Sequence, residues 1–144
     1  MELKFSKWLM IETRETMTGR LSYGDNNRVV LEIGSTPGAA HEFGRYLRSF
    51  LPKSIKLNPQ MYPPHVTVVR AHKEFVDPNH PAWKKHDEKK IDFQYDMENI
   101  YYNEPYYFLK VYSEELKDIR EELGLPRERP GFKDFHLTIG NTKK

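Results

Sequence analysis

Two short stretches of the chain alternate polar and apolar residues with the two-residue period of a half-buried strand: His65-Val66-Thr67-Val68 and His136-Leu137-Thr138-Ile139. Successive side chains of an extended segment point to opposite faces, so each stretch offers a histidine and a threonine to one side and its apolar residues to a core. Arg28 to Ile33, bounded by Gly24-Asp25-Asn26-Asn27 and by Gly34, predicts a further strand, with Lys4 to Thr13 as another before it. The period then changes. Ser35-Thr36-Pro37 reads as a helix cap with proline at the first helical position, and Ala40, Phe43, Leu47, Phe50 and Leu51 recur on one face, predicting a helix over 37–51.

Pro52 ends that helix, and a passage through Pro59, Pro63 and Pro64 leads into the first alternating strand. Residues 71–90 lose all periodicity and predict a surface excursion, with Trp83 as its large anchor and a flap over the functional face as its candidate role. Ile91 to Tyr95, Asn99 to Asn103 and Tyr106 to Tyr112 predict an antiparallel meander. Ser113 then caps a helix whose Leu116, Ile119, Arg120 and Leu123 share a face; Gly124 stops it, and Pro126 and Pro130 precede the second alternating strand.

Strand, capped helix, proline-containing loop and His-x-Thr strand thus occur twice, over 28–70 and 106–140. The repeat predicts an α+β fold of two pseudo-symmetric lobes of antiparallel sheet, helices outside, with the two His-x-Thr strands facing each other across a cleft. A single domain over 1–144 is expected, its halves 1–70 and 91–144 linked by the excursion 71–90.

Composition narrows the chemistry. With 38% hydrophobic and 13% aromatic residues among 144, the chain can bury a core and is not of the disordered class. A net charge of +2 gives no sign of the basic stripe that long duplex nucleic acid would require, but leaves room for a small anionic ligand. The absence of cysteine excludes disulfides and thiolate zinc sites and agrees with a reducing compartment. His72, His80 and His86 lack ligand spacing, so neither a metal nor another cofactor is expected. No apolar run approaches the roughly 18 residues of a membrane span, and the early charges of the N-terminus do not read as a signal peptide. A cytoplasmic protein without a membrane partner is the expectation.

The matched pair, Pro64-His65-Val66-Thr67-Val68 and Phe135-His136-Leu137-Thr138-Ile139, resembles the signature of the two-histidine (2H) phosphoesterase superfamily, and the resemblance covers nearly the whole chain. It implies a metal-independent phosphodiesterase whose catalytic residues are His65, Thr67, His136 and Thr138. Two imidazoles near their ordinary pKa of about 6.5 can divide the roles of base and acid at neutral pH. Threonine hydroxyls can donate to the phosphate oxygens on which charge accumulates. The superfamily acts on 2′,3′-cyclic ends, on 2′,5′ linkages and, in small phage members, on cyclic oligonucleotide signals, so a small nucleotide or an RNA end is the implied partner, bound by a monomer or weak oligomer. A phage-encoded member would work in the host cytoplasm.

Substrate contacts are expected from Tyr62, just before the first motif, from Trp83 on the excursion, from Phe135 beside the second motif, and from Arg70; Lys73, Arg127, Arg129 and Lys133 also flank the motifs. Two readings from other classes stay open at this point: a catalytically silent nucleotide- or RNA-binding module with the same cleft, and an interaction protein with no nucleotide ligand.

Overall fold

The computed structural model describes residues 14–34, 37–49, 58, 64–103 and 105–143. The expected strand over Lys4–Thr13 and the candidate Tyr62 lie outside them. In chain order the elements are β1 (Arg14–Tyr23), β2 (Val29–Ile33), α1 (Pro37–Arg48), β3 (His65–Val69), β4 (Lys90–Asn103), β5 (Tyr106–Tyr112), α2 (Glu114–Glu122) and β6 (Phe135–Asn141). The strands form one closed antiparallel sheet in the order β1-β2-β3-β6-β5-β4.

That order is palindromic. Each half runs strand, strand, helix, His-x-Thr strand, and the halves meet twice, at β3–β6 and at β1–β4. The expected repeat is therefore present as topology. The halves nevertheless share a single sheet, and the two His-x-Thr strands are paired neighbours in it, not strands opposed across a gap between separate sheets. The physical reason is that each motif strand needs a ladder partner on its free side, and the other motif strand supplies it.

Local chemistry explains most elements. Asn26 and Asn27 adopt positive φ in the β1–β2 turn, a conformation asparagine tolerates better than most residues. In β1, Gly19 pairs with both Ile33 and Ile91; a Cβ there would lie 2.6 Å from Leu31 Cγ and 2.8 Å from Glu32 O, so only glycine permits this close approach. The Ser113 hydroxyl accepts a bond from the Leu116 N–H at 3.2 Å and caps α2, and Gly124, at φ 81°, ends its last turn. The two segments expected over 91–95 and 99–103 are one long strand, β4, whose pairing with β5 is irregular between Tyr95 and Ile100.

One face of the sheet carries the core. Leu21, Leu31, Val66, Phe93, Leu109 and Leu137, one from each strand, join Leu47 of α1, Leu116 and Ile119 of α2 and Leu123 directly after it in one buried cluster. Two arginines fasten the helices to it in an exchanged pattern. Arg48 of α1 donates to the Ile139 carbonyl of β6 at 3.0 Å, and Arg120 of α2 donates to the Val68 carbonyl of β3 at 2.8 Å. Each helix thus holds the residue directly after the motif threonine of the opposite half.

Arg120 is fully buried, and all five of its N–H groups are used. Besides Val68 O they reach Glu74 Oε1 and Oε2 at 2.6 and 3.0 Å, Pro126 O at 2.8 Å and Glu128 O at 3.2 Å. The excursion is drawn onto α2 by this pair and by Lys85 and His86 on Glu122 and Lys89 on Glu115. Trp83 packs edge-on against Tyr23, with ring centroids 5.1 Å apart, on the core side of the sheet. The excursion is thus a brace along α2, and the expected flap is not what its contacts build.

Candidate functional site

The site begins with one register contact. Val66 of β3 lies opposite Leu137 of β6, and both are completely buried. Antiparallel pairing then sets His65 beside Thr138 and Thr67 beside His136 on the face turned away from the core. Directly opposed side chains have Cβ atoms about 4.5–5.5 Å apart, so the four polar groups form one contiguous patch in which each histidine neighbours the other motif's threonine. All four are partly exposed.

The ladders on either side extend the patch into two rows. Through His65 runs Arg20, Glu32, His65, Thr138, Phe108 and Tyr101, one residue from each strand. Through His136 runs Ser22, Val30, Thr67, His136 and Lys110. Arg20 and Glu32 form an ion pair at 3.3 Å at one end of the first row. At its other end Tyr101 stacks on Phe108, centroids 5.8 Å apart, with Lys110 Nζ 4.4 Å from the Tyr101 ring.

His136 is held by aromatic rings. Phe108 stacks on the imidazole at 4.0 Å and 24°, and Phe132, from the loop before β6, meets it edge-on at 4.6 Å and 86°. Burial pushes the His136 imidazole down to about 4; the positive charges of Arg129 and Lys110 add to this and Asp134 opposes it. With that value the ring is uncharged through the physiological range.

Arg129 reaches over Phe132, its guanidinium carbon 5.2 Å from the ring centre. Its Nε is buried without a hydrogen-bond partner, and no carboxylate among the described residues lies within ion-pair distance. Burial lowers its pKa; Glu74 opposes this, and Arg120 and Arg70 add to it. A desolvated guanidinium without a counter-charge is costly unless a ligand supplies one.

The other expected contacts lie elsewhere. Phe135 is only 2% exposed and sits in the core, because the alternation that exposes His136 turns its neighbour inward. Trp83 is on the core side against Tyr23. Arg70 is exposed at the end of β3, where its N–H donates to Glu74 at 3.1 Å. Arg127 is engaged by Glu114, Asp118 and Glu121 of α2. Phe108, Phe132, Glu32 and Lys110 are members of the patch that the sequence reading passes over; the alternation within β2 and β5 is the signal that could have found Glu32, Phe108 and Lys110. Among the described residues no group of three or more His, Cys, Asp or Glu side chains is placed to hold a metal ion, and no helix is long and apolar enough to cross a membrane.

A small α+β domain that sets two His-x-Thr strands side by side, polar residues on one face, defines a two-histidine class of protein. A family model confirms it: the 2H phosphoesterase domain of the Swiss Army Knife type matches residues 36–144, and the chain belongs to this family. No curated protein and no solved structure matches it.

Proposed function

We propose that the patch on β3 and β6 is the active site of a metal-independent phosphodiesterase that acts beside a ribose hydroxyl in a small nucleotide or RNA end. The substrate would be a cyclic oligonucleotide, a 2′,3′-cyclic phosphate or a 2′,5′ linkage. The observation that carries the reading is the pairing of Val66 with Leu137, from which two imidazoles and two hydroxyls follow as neighbours on one face of the sheet. One imidazole takes the proton of the attacking hydroxyl or water as its oxygen bonds to phosphorus, and the other gives a proton to the departing oxygen as its bond to phosphorus breaks. Thr67 and Thr138 donate to the non-bridging oxygens as their charge grows. Arg129 supplies positive charge beside His136, and a phosphate would give its orphaned N–H a partner. Tyr101 and Phe108 form the apolar end of the patch, suited to a base or ribose face. The setting we propose is the cytoplasm, the protein working as a monomer or weak oligomer.

The test is incubation of the full chain with cyclic dinucleotides, 2′,3′-cyclic nucleotides and 2′,5′-oligoadenylates in the presence of EDTA, with products resolved by mass spectrometry. Cleavage of at least one class, abolished by His65→Ala and by His136→Ala, is expected. Binding without cleavage across the panel would favour a silent nucleotide-binding module instead.

A further inference from the structure

The strand registers set side chains of opposite charge beside the two histidines. Across the β2–β3 ladder the residue directly opposite His65 is Glu32; across the β5–β6 ladder the residue directly opposite His136 is Lys110. Both pairs lie on the patch face, where such neighbours are close enough to interact. We propose that His65 is the general acid and His136 the general base of the reaction, with Glu32 and Lys110 as the positioning residues that hold them in those protonation states. This assignment rests on the phosphodiesterase reading above.

The ladder neighbours on the other side agree. In the β3–β6 ladder the neutral Thr138 lies beside His65, and Glu32 is shared with Arg20 of β1 at 3.3 Å, both half-exposed, so the carboxylate keeps part of its influence on the imidazole. His136 faces Lys110 from β5, Thr67 from β3, and Arg129 and Asp134 from the loop before β6, with Phe108 and Phe132 excluding water from its ring. Two cations against one carboxylate, with desolvation, favour the neutral ring. A carboxylate beside His65 favours its imidazolium.

The step balances without a further reactant. His136 accepts the proton of the attacking hydroxyl while its oxygen bonds to phosphorus; the bond from phosphorus to the leaving oxygen breaks, and His65 gives that oxygen its proton. The substrate's own negative charge offsets Lys110 and Arg129 when it binds, so His136 becomes a stronger base at the moment it is needed.

The experiment is a ¹⁵N NMR titration of both imidazoles in the full chain without substrate, assigned by His65→Gln and His136→Gln, together with pH profiles of kcat/KM. His65 is expected to hold its proton to higher pH than His136. Glu32→Gln should lower the His65 midpoint by on the order of half a pH unit and leave His136 in place, moving the alkaline limb of kcat/KM the same way. Lys110→Met should raise the His136 midpoint and move the acid limb. If His136 holds its proton to higher pH than His65, or if Glu32→Gln leaves His65 unmoved, the assignment is overturned whether or not any phosphodiester is cleaved. Midpoints in the expected order in a protein that cleaves nothing would instead overturn the phosphodiesterase reading.

Discussion

Val66 and Leu137, the apolar middle residues of the two motifs, are directly opposed in the β3–β6 ladder. Both side chains are sealed in the core, so the register cannot slip by one residue without turning His65, Thr67, His136 and Thr138 inward and Val66 and Leu137 outward. The geometry of the patch is therefore fixed by packing on the other side of the sheet.

Removal of either imidazole should cost at least about 10²-fold in kcat, because general acid or base catalysis contributes about 10²–10⁴-fold per group. Thr67→Val and Thr138→Val each remove a hydrogen bond to a charged oxygen, worth roughly 1.5–3 kcal/mol, and should cost about 10- to 150-fold. His72→Asn and His86→Gln are controls: His72 is exposed beyond β3, and His86 is bonded to Glu122 at 3.1 Å. Turnover of both should stay within about threefold of the unaltered chain. Steady-state kinetics on all six variants, with folding checked by circular dichroism, decides.

The pH dependence should be displaced toward acid. With His136 pushed down to about 4, the acid limb of kcat/KM belongs near that pH and not near the ordinary histidine value of about 6.5. Folding feels the same group with a definite sign. Between about 6.5 and about 4 the unfolded chain takes up a proton that folded His136 refuses, so stability falls as pH drops through that window. Urea midpoints at pH 7 and pH 5 should differ in that direction, and His136→Phe should reduce the difference.

Arg129→Met should separate activity from stability. Loss of a charge-assisted contact to phosphate is expected to lower kcat/KM by about 10- to 150-fold. The same change removes a desolvated cation with an unpartnered Nε, so the melting temperature should hold or rise. A fall in stability with unchanged kcat/KM would show that Arg129 has a structural role.

Glu74→Gln should do the reverse. It leaves the wholly buried Arg120 without its counter-charge, a loss of about 3–5 kcal/mol when one partner of a buried pair is removed. Burial alone would raise the Glu74 carboxyl, but the Arg120 bonds, the Arg70 amide and the charges of Arg120 and Arg129 outweigh it and hold it below the usual carboxylate range. Its contribution is complete above the unfolded carboxylate value of about 4.3 and is lost as pH falls below it. Denaturant midpoints of the two chains should converge in acid.

The motif strands and the second helix were legible because their signals are local. His65-Val66-Thr67 and His136-Leu137-Thr138 declare their faces by alternation, and Ser113 and Gly124 mark the ends of α2. Strand β1 escapes notice because Gly19 interrupts the apolar side of an alternation that Met17, Leu21 and Tyr23 otherwise carry against Thr16, Thr18 and Ser22. The approach of Phe108 and Phe132 to His136 depends on the β5–β6 register and on a loop held by Arg120, neither of which any short stretch of sequence encodes. Phe135 is the opposite case: strand alternation alone already assigns it to the core with Leu137.

The palindromic closure of the sheet bears on how the chain can be divided. Strands β1 and β3 are the outer strands of one half, β4 and β6 those of the other, and each finds its second hydrogen-bond partner only across the seam. The exchanged arginines add a second dependence, since Arg48 and Arg120 each serve a carbonyl that the opposite half provides. Expressed as separate fragments cut within the excursion, each half would expose two unsatisfied strand edges and the surface from which the other was removed. Neither fragment alone holds both motif strands, so neither can display the two-histidine surface, and complementation on mixing the halves is the expected way to regain it.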